Sequence, residues 1–524
     1  MRPIRGVAAA LAQARRIERA ARGSAPPRPG TPGLARRAVL RGFAALGAAT
    51  GAGGGLAPGL SARPLQGDVA IIGGGLAGLV ALDRLTQVGI PARLYEARPR
   101  LGGRILTAKD FPAKGRWVEI GGHLVNTDHA DMIALAGELG IGLRDVKSSG
   151  GRDQVLIGGE AVSAEALVAA LGPIAAQIAA DSEAMDAGGP GAMAALDRIS
   201  VADYLDAHAA RLQAPGVQAL LEQSIRTEFG VEPAAASALT LIFNLPTVEG
   251  EAYEVLGASD ERYIVDGGSQ TITDALAARH KARIETGARL TAITRGAGGR
   301  MRLGLADGRR LEPSHAILAL PAGIIGNLAA DGVFAAPWQA FHREVRLGRN
   351  GKLNAAYSSA PWRASAMGAS GTTWQAGPEA LFCEAWEAAP AQAGNEAALT
   401  WFFGGDLMAA MDNGPPRDAL ARAHDSAEDA MGGLSQAFAG AVLRTEWHRD
   451  PLTGGAYSTW APGQLTRFAT LPWVEEEDGT VTQEAHDGSV WFAGEHVSDA
   501  WSGYMNGAAQ TGRLAADALA RALG

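Results

Sequence analysis

Gly73, Gly75 and Gly78 stand at the spacing G-x-G-x-x-G, directly after the apolar run Asp68-Val-Ala-Ile-Ile72. The first glycine permits a tight turn. The second lets the backbone approach a pyrophosphate, and the third lets the following helix lie against the strand. A helix opening near Leu76 would offer its free N–H groups and positive dipole end to the phosphates. Glu96 follows eighteen residues after Gly78, where a carboxylate can accept hydrogen bonds from ribose hydroxyls. Strand, glycine turn, helix, strand and acid fall within 29 residues, and together they predict a dinucleotide site.

Other chemistries are excluded or weak. Cys383 is the single cysteine, which rules out an internal disulfide and any cysteine-cluster metal or iron–sulfur site; it reads as a small buried filler. No histidines have zinc spacing. Residues 1–65 contain eleven Arg and one Glu, a formal +10, which against −8 for the whole chain leaves −18 for residues 66–524. A nucleic-acid binder needs a basic face, and nothing after residue 66 advertises one; an acidic body mildly favours the approach of cationic small molecules where its charge lies near the entrance. The acids Glu475 to Asp478 read as a solvated loop.

These residues need elements to hold them. With 70 glycines and 47% hydrophobic residues, the chain is a folded protein rich in tight turns. Leu79 to Val88 has helical spacing of apolar positions and Pro91–Tyr95 reads as a strand ending in Glu96. Roughly 125–265 reads mostly as helices, such as Asp128–Leu139 and Gly216–Phe229. A hairpin is expected over 289–304 with Gly298-Gly299 at its turn. Ala316–Leu320 reads as a short buried strand, and 345–385 is strand-like. Residues 415–438 return to helix, Gly488–Ala493 is a strand, and a last helix runs from about Gly503 to Leu523.

Several further segments carry a resemblance. Arg98 and Leu101-Gly102-Gly103-Arg104 follow the ribose acid, and Glu119-Ile-Gly-Gly122 comes soon after. Near the other end, Gly494-Glu495-His496 precedes Trp501-Ser-Gly-Tyr-Met-Asn-Gly507. Over 66–524 the chain resembles the flavin-containing amine oxidase family, including monoamine oxidases and bacterial L-amino-acid oxidases. The resemblance implies an α/β fold, with a Rossmann-like FAD-binding domain interwoven with a mixed α/β substrate-binding domain built around the strands of 315–400. It implies that Arg98 contacts the ADP, that Gly103 and Arg104 pass beneath the pyrophosphate, and that Glu495, after Gly494, binds near the ribityl–pyrophosphate part. Gly267-Gly268 and the strand through Leu290 match the segment at the adenine end. The turn centred on Met505 would face the flavin pyrimidine carbonyl, where a helix N-terminus stabilises negative charge. His496 reads as a structural residue against this segment, and His123 as a candidate for substrate contact.

The same resemblance assigns the chemical end. Ala456, within Gly454–Thr459, occupies the place of the cysteine that some relatives bond to the flavin, so FAD is expected to be non-covalent here. Tyr457 and Tyr504 align with two tyrosines that face each other before the flavin, and Lys352 with a lysine that reaches flavin N5 through a water. Read without the family, Lys352 could be a solvated lysine on a strand edge, although residues 66–524 hold only five lysines. The implied activity is oxidation of an amine to an imine, hydrolysed to aldehyde and ammonia, with O2 reduced to H2O2. The alternatives are an L-amino-acid oxidase, with Arg226 or another interior arginine clamping the carboxylate because Leu124 fills one family arginine slot, and an amine dehydrogenase passing electrons to a periplasmic protein. Homodimers are common in the family.

The domain division expected is 66–125, 262–305 and 454–524 for FAD, with 126–261 and 306–453 mainly for substrate. Arg36-Arg37 precedes a weakly apolar Gly/Ala run ending in Leu60-Ser61-Ala62. Residues 1–65 therefore resemble a twin-arginine export signal and linker, implying a periplasmic protein exported folded. No later stretch reaches 18 uninterrupted apolar residues, so no membrane span is expected after it.

Overall fold

A computed structural model describes residues 69–524 apart from 245–247, 250–251, 254–259, 297–300, 331, 389, 391 and 393. The export signal expected within 1–65 and the Gly298-Gly299 turn lie outside the described residues.

The run Val69–Ile72 is wholly buried, as a strand covered on both faces must be. It pairs in parallel with Ala92–Glu96 on one side and His315–Leu318 on the other. The full sheet has six strands in the order Ile284–Thr286, Ala92–Glu96, Val69–Ile72, His315–Leu318, Val490–Phe492 and His486–Asp487. All pairs are parallel except the last. The chain leaves Ile72 in one direction through helix Leu76–Gln87 and reaches the neighbour on the other side only after more than two hundred residues. The crevice at the carboxyl ends of these diverging strands is where open parallel sheets bind ligands. The helix Met505–Leu523 closes over Leu76–Gln87, and they approach so closely at Gly512 that a Cβ there would lie 2.4 Å from the Ala77 carbonyl.

The strand expected over 316–320 therefore belongs to the nucleotide sheet rather than to the substrate-binding part in which it was placed. Its apolar run fits either sheet, and only long-range pairing decides between them. The second sheet has seven strands, in the order Phe438–Arg444, Asn350–Tyr357, Ala397–Gly404, Glu384–Glu387, Thr372–Ala376, Gln154–Ile157 and Glu160–Val162. The last two fall in the stretch expected to be mostly helical. The helices expected there are present as Ala130–Glu138 and Val217–Phe229.

Register sorts the two faces of the second sheet. Lys352 lies opposite Phe402, which lies opposite Glu384. One step along, Asn354, Thr400 and Trp386 form the next row on that face, because side chains two apart share a face. The opposite face carries Leu353, Ala355, Tyr357, Leu399, Trp401 and Phe403, which pack with Leu420, Ala423 and Ala427 of helix Pro416–Met431. An apolar face thus anchors the sheet, and a face containing Lys352 and Glu384 turns toward the site. No described helix is long and apolar enough to cross a membrane.

Candidate active site

The glycine turn is built by close approach. Gly73 has φ +109°, and a Cβ there would lie 2.4 Å from the Ala319 carbonyl. At Gly78 a Cβ would lie 2.0 Å from the Gly73 carbonyl, so both positions demand glycine for the reasons the spacing implied. Gly75 is different. A Cβ there would meet nothing nearer than the Gly103 Cα at 3.9 Å, so its bareness leaves open space at the start of helix Leu76–Gln87. Glu96 is buried, and its carboxylate accepts from the N–H groups of Gly74 (2.6 Å) and Arg98 (2.8 Å).

A cavity of about 420 Å³ begins at this turn. Its wall includes Gly73, Gly75, Glu96, Arg98, Gly103 and Arg104, then Gly494, Glu495 and Met505, and finally Lys352, Tyr457 and Tyr504. Leu290 lines it too. Every expected site residue except Gly78, which supports the turn from behind, therefore meets on one surface. Gly267-Gly268 does not. Gly268 packs on Thr107, and the next residue, Ser269, donates its N–H to Glu119 at 2.6 Å.

Two ion pairs tie distant segments together along the wall. Arg98 donates to Asp450 (2.6 Å) and Thr453 (2.8 Å). Arg104 donates to Glu495 (2.8 Å) and to the Ala456 carbonyl (2.7 Å). Glu495 also accepts from Ser458 Oγ (3.0 Å) and from the Gly503 N–H (2.7 Å). Burial alone would raise its carboxyl, but Arg104 and these hydrogen bonds hold it below the ordinary carboxylate range.

At the far end Lys352 is only 8% exposed, and its Nζ donates to the Gly121 carbonyl at 2.8 Å. It is no solvated edge lysine. Burial pulls its ammonium down to about 8, against the opposing pull of Glu119, Glu384 and Glu261. Glu119 is buried as well, and desolvation lifts it to about 7 although Ser269, Lys352 and Thr107 favour its charge. Lys352 Nζ lies 5.9 Å from the Trp386 ring centre, and Trp386 stacks on His123 at 6.4 Å.

The tyrosines are held from behind. Tyr457 donates its hydroxyl to the Thr227 carbonyl at 2.8 Å, and Asn350 Nδ2 donates to the same carbonyl at 2.9 Å. Both cap the C-terminal end of helix Val217–Phe229. Tyr504 precedes the first residue of the last helix, and its ring meets His129 edge-on at 5.2 Å. His129 accepts from the Asn126 N–H, and burial lowers it to about 3, so it packs as a neutral ring.

Comparison with known families matches residues 76–520 to the flavin containing amine oxidoreductases. The chain belongs to that family. It is 27% identical over 484 residues to the Mycobacterium tuberculosis protein named flavin-containing monoamine oxidase AofH, covering 87% of this chain and 97% of that one. A shorter stretch of 81 residues, 16% of each chain, is 36% identical to putrescine oxidase of Kocuria rosea. The fold is shared with cyclohexylamine oxidase from Brevibacterium oxydans, with a TM-score of 0.72, 23% identity and coverage of 87% and 99% of the two chains. Putrescine oxidase bound to putrescine gives the same TM-score and coverage at 21% identity. This is therefore a flavin-dependent enzyme of the amine oxidase family.

The cavity fits a flavin dinucleotide. Glycines 75 and 103 leave a cradle that side chains would fill, because a Cβ on Gly103 would lie 3.1 Å from the Gly75 Cα. Helices Leu76–Gln87 and Met505–Leu523 both open onto the cavity, offering N-terminal amides to phosphate and to anionic ring atoms. His496 lines the wall, fully buried, with neither ring nitrogen hydrogen-bonded. Burial lowers it to about 4, leaving a neutral imidazole that can meet a polar ring edge. Its role as a satisfied structural histidine is not what the structure shows.

Sequence reasoning passed over Glu228, Trp386 and the electrostatic coupling of Glu119 with Lys352. Glu228 carried a usable signal: it continues the stripe Leu221 and Ile225 on helix Val217–Phe229, an acid at a core-facing position. Glu475, read as solvated, instead pairs with Arg513 at 2.9 Å.

Proposed function

We propose that this chain binds FAD non-covalently and oxidises an amine to an imine, which water splits to an aldehyde and ammonia when the amine is primary, with O2 reduced to H2O2. The carrying observation is the single cavity that runs from the Gly73–Gly78 turn to Lys352, Tyr457 and Tyr504. A bound flavin supplies the hydride acceptance from the carbon beside the amine nitrogen and the return of the electron pair to oxygen. The protein supplies placement and charge. Gly75, Gly103, Arg98 and Glu495 would hold the nucleotide part, and the Met505 helix end the ring part. Tyr457, fixed through Thr227, and Tyr504, backed by His129, would confine the amine and exclude water. Lys352 keeps a desolvated cation at the reacting end. Ala456 lines the cavity where a cysteine would be needed for a covalent link, and the lone Cys383 is buried with Trp386 and Phe402.

An amine suits the charge of the site better than an amino acid. Arg226 faces Glu232 (2.8 Å) and Glu222 (3.6 Å) and is absent from the cavity wall, while Arg98 and Arg104 are held by Asp450 and Glu495. Among the described residues, Arg104 beside the tyrosines is already paired with Glu495, so a substrate carboxylate would have to compete for it. The carboxylate would meet the field of Glu228 and Glu384, which acts on Tyr457. Anaerobic mixing with a panel of primary amines should bleach the flavin, and L-amino acids should leave it yellow. Bleaching by L-amino acids alone would overturn the substrate assignment. Recolouring in aerated buffer with H2O2 release separates an oxidase from a dehydrogenase awaiting a protein acceptor, and acid precipitation should leave all FAD in the supernatant. Export through Arg36-Arg37 to the periplasm is part of this proposal. Changing the pair to Lys-Lys should trap a reporter fusion in the cytoplasm, and undiminished export would remove that part.

A further inference from the structure

A second, smaller chamber adjoins the main cavity. Its walls include Glu228, Phe243, Trp460, Leu465 and Ser502, and it shares only Tyr457, Gly503 and Tyr504 with the main cavity. Lys352 lines the main cavity and Glu228 lines the chamber, so the tyrosines stand between the basic and the acidic group. The shared wall sets the chamber directly beside the place where a substrate's reacting end would lie.

The chamber is polarised for a cation. Glu228 is 4% exposed, and its Oε1 is enclosed without a hydrogen-bond partner. Ser502 Oγ is also enclosed and unpartnered. An ammonium carries three donors and no acceptor, and can serve both oxygens. Glu228 also sits in the last turn of helix Val217–Phe229, which ends at Gly230. A helix C-terminus carries partial negative charge and favours a cation beside it. The same surroundings, burial first and then Glu261, push the Glu228 carboxyl up to about 8, the response of an acid that lacks a counter-charge. Trp460 Nε1 is an unpartnered donor on the same wall, and Trp460 and Phe243 add aromatic side chains to it, residue types that suit an aliphatic chain or a cation. The volume, about 30 Å³, has room for roughly two water-sized groups, which suits an ammonium and excludes a ring.

We infer that this chamber binds the distal ammonium group of a diamine through Glu228 and Ser502, making Glu228 the residue that selects dicationic amines over monoamines. This rests on the amine-oxidising reading above and deepens it. Amine oxidation stays at the tyrosines, and Glu228 forms a charge-assisted hydrogen bond without taking part in electron transfer.

The test compares α,ω-diaminoalkanes with n-alkylamines of equal carbon number on the FAD-loaded full chain. The parent should favour the diamine in kcat/KM by at least about tenfold, and the diamine should raise its Tm where the alkylamine does not. In Glu228→Gln, which keeps shape and removes charge, the diamine-to-alkylamine ratio should fall about a hundredfold, the scale expected for leaving one buried charge unpaired. The loss should appear mainly in KM. An unchanged ratio, or equal losses for both substrates, overturns the inference. If Glu228→Gln does not fold, the parent ratio together with Ser502→Ala, expected to lower it about tenfold, still decides. Flavin that bleaches with neither amine class removes the amine-oxidising reading itself, whereas bleaching by alkylamines in preference to diamines removes only this inference.

Discussion

The two ends of the cavity hold their polar groups in opposite ways. At the nucleotide end almost every charge is already matched inside the protein. Glu96 is satisfied by two backbone N–H groups, Arg98 by Asp450 and Arg104 by Glu495. Recognition there depends on backbone shape and glycine contacts. At the substrate end charges are buried with few direct partners. Lys352 rests on one carbonyl, Glu228 has an unpartnered oxygen, and burial moves Lys352 down and Glu119 and Glu228 up. The nucleotide end can therefore be rigid whatever is bound, while the substrate end keeps electrostatic energy available for a ligand or a reacting charge. Damage to the first should abolish flavin loading, and damage to the second should change rates while the protein stays yellow.

The largest effect is expected at Gly78. Alanine there would place its Cβ 2.0 Å from the Gly73 carbonyl, so helix Leu76–Gln87 must move away from the strand. Gly78→Ala should purify with little or no flavin, read as the ratio of 450 nm to 280 nm absorbance, while circular dichroism retains most of the parental helix and strand signal. A fully yellow variant with the parental Tm would show that the turn tolerates the shift.

Next in size is Lys352→Met, which keeps much of the length and removes the cation. Oxygen gains negative charge as it is reduced, and a desolvated cation nearby is worth roughly 3 kcal/mol, or about a hundredfold in rate. Stopped-flow recolouring in aerated buffer should slow by that factor, with anaerobic bleaching by amine much less affected. Collapse of bleaching with normal recolouring would instead assign Lys352 to substrate placement.

The same contrast explains what could be read from the chain alone. The nucleotide end was legible because close backbone contacts demand glycine at fixed spacing, and local spacing survives in a linear sequence. Arg104 and Glu495 were legible as motif members, though not as each other's partners, because nothing local links positions 391 residues apart. The membership of His315–Leu318 in the nucleotide sheet was hidden for the same reason: a buried apolar strand suits either sheet, and register with Val69–Ile72 is a long-range fact. Lys352 was legible through the family resemblance around Asn350–Leu353 and through the scarcity of lysine, with only five in residues 66–524. Glu228 was missed because an acid in a helix is ordinarily solvent-facing, and only its phase relative to Leu221 and Ile225 marks it as inward. Gly267-Gly268 misled because a glycine pair looks alike whether it faces a ligand or, as here, the Thr107 side chain.

The smallest effect expected is a pH dependence of recolouring, and its sign follows from burial. Desolvation lowers Lys352 to about 8, with Glu119, Glu384 and Glu261 opposing it. The cation is therefore complete well below that pH and is lost above it; at pH 9 about a tenth remains, so recolouring should fall about tenfold between pH 7 and 9. Glu119, lifted to about 7 by burial, becomes charged as pH rises through the lower part of this window and helps to retain the lysine proton. Negative charge on a bound group near Lys352 acts in the same direction and would move the fall upward from pH 8. Lys352→Met should show a low, flat profile across the same range. A parent rate that rises with pH, or a variant that keeps the parental fall, would place the titrating group elsewhere and leave Lys352 a neutral spacer, removing the electrostatic distinction between the two ends.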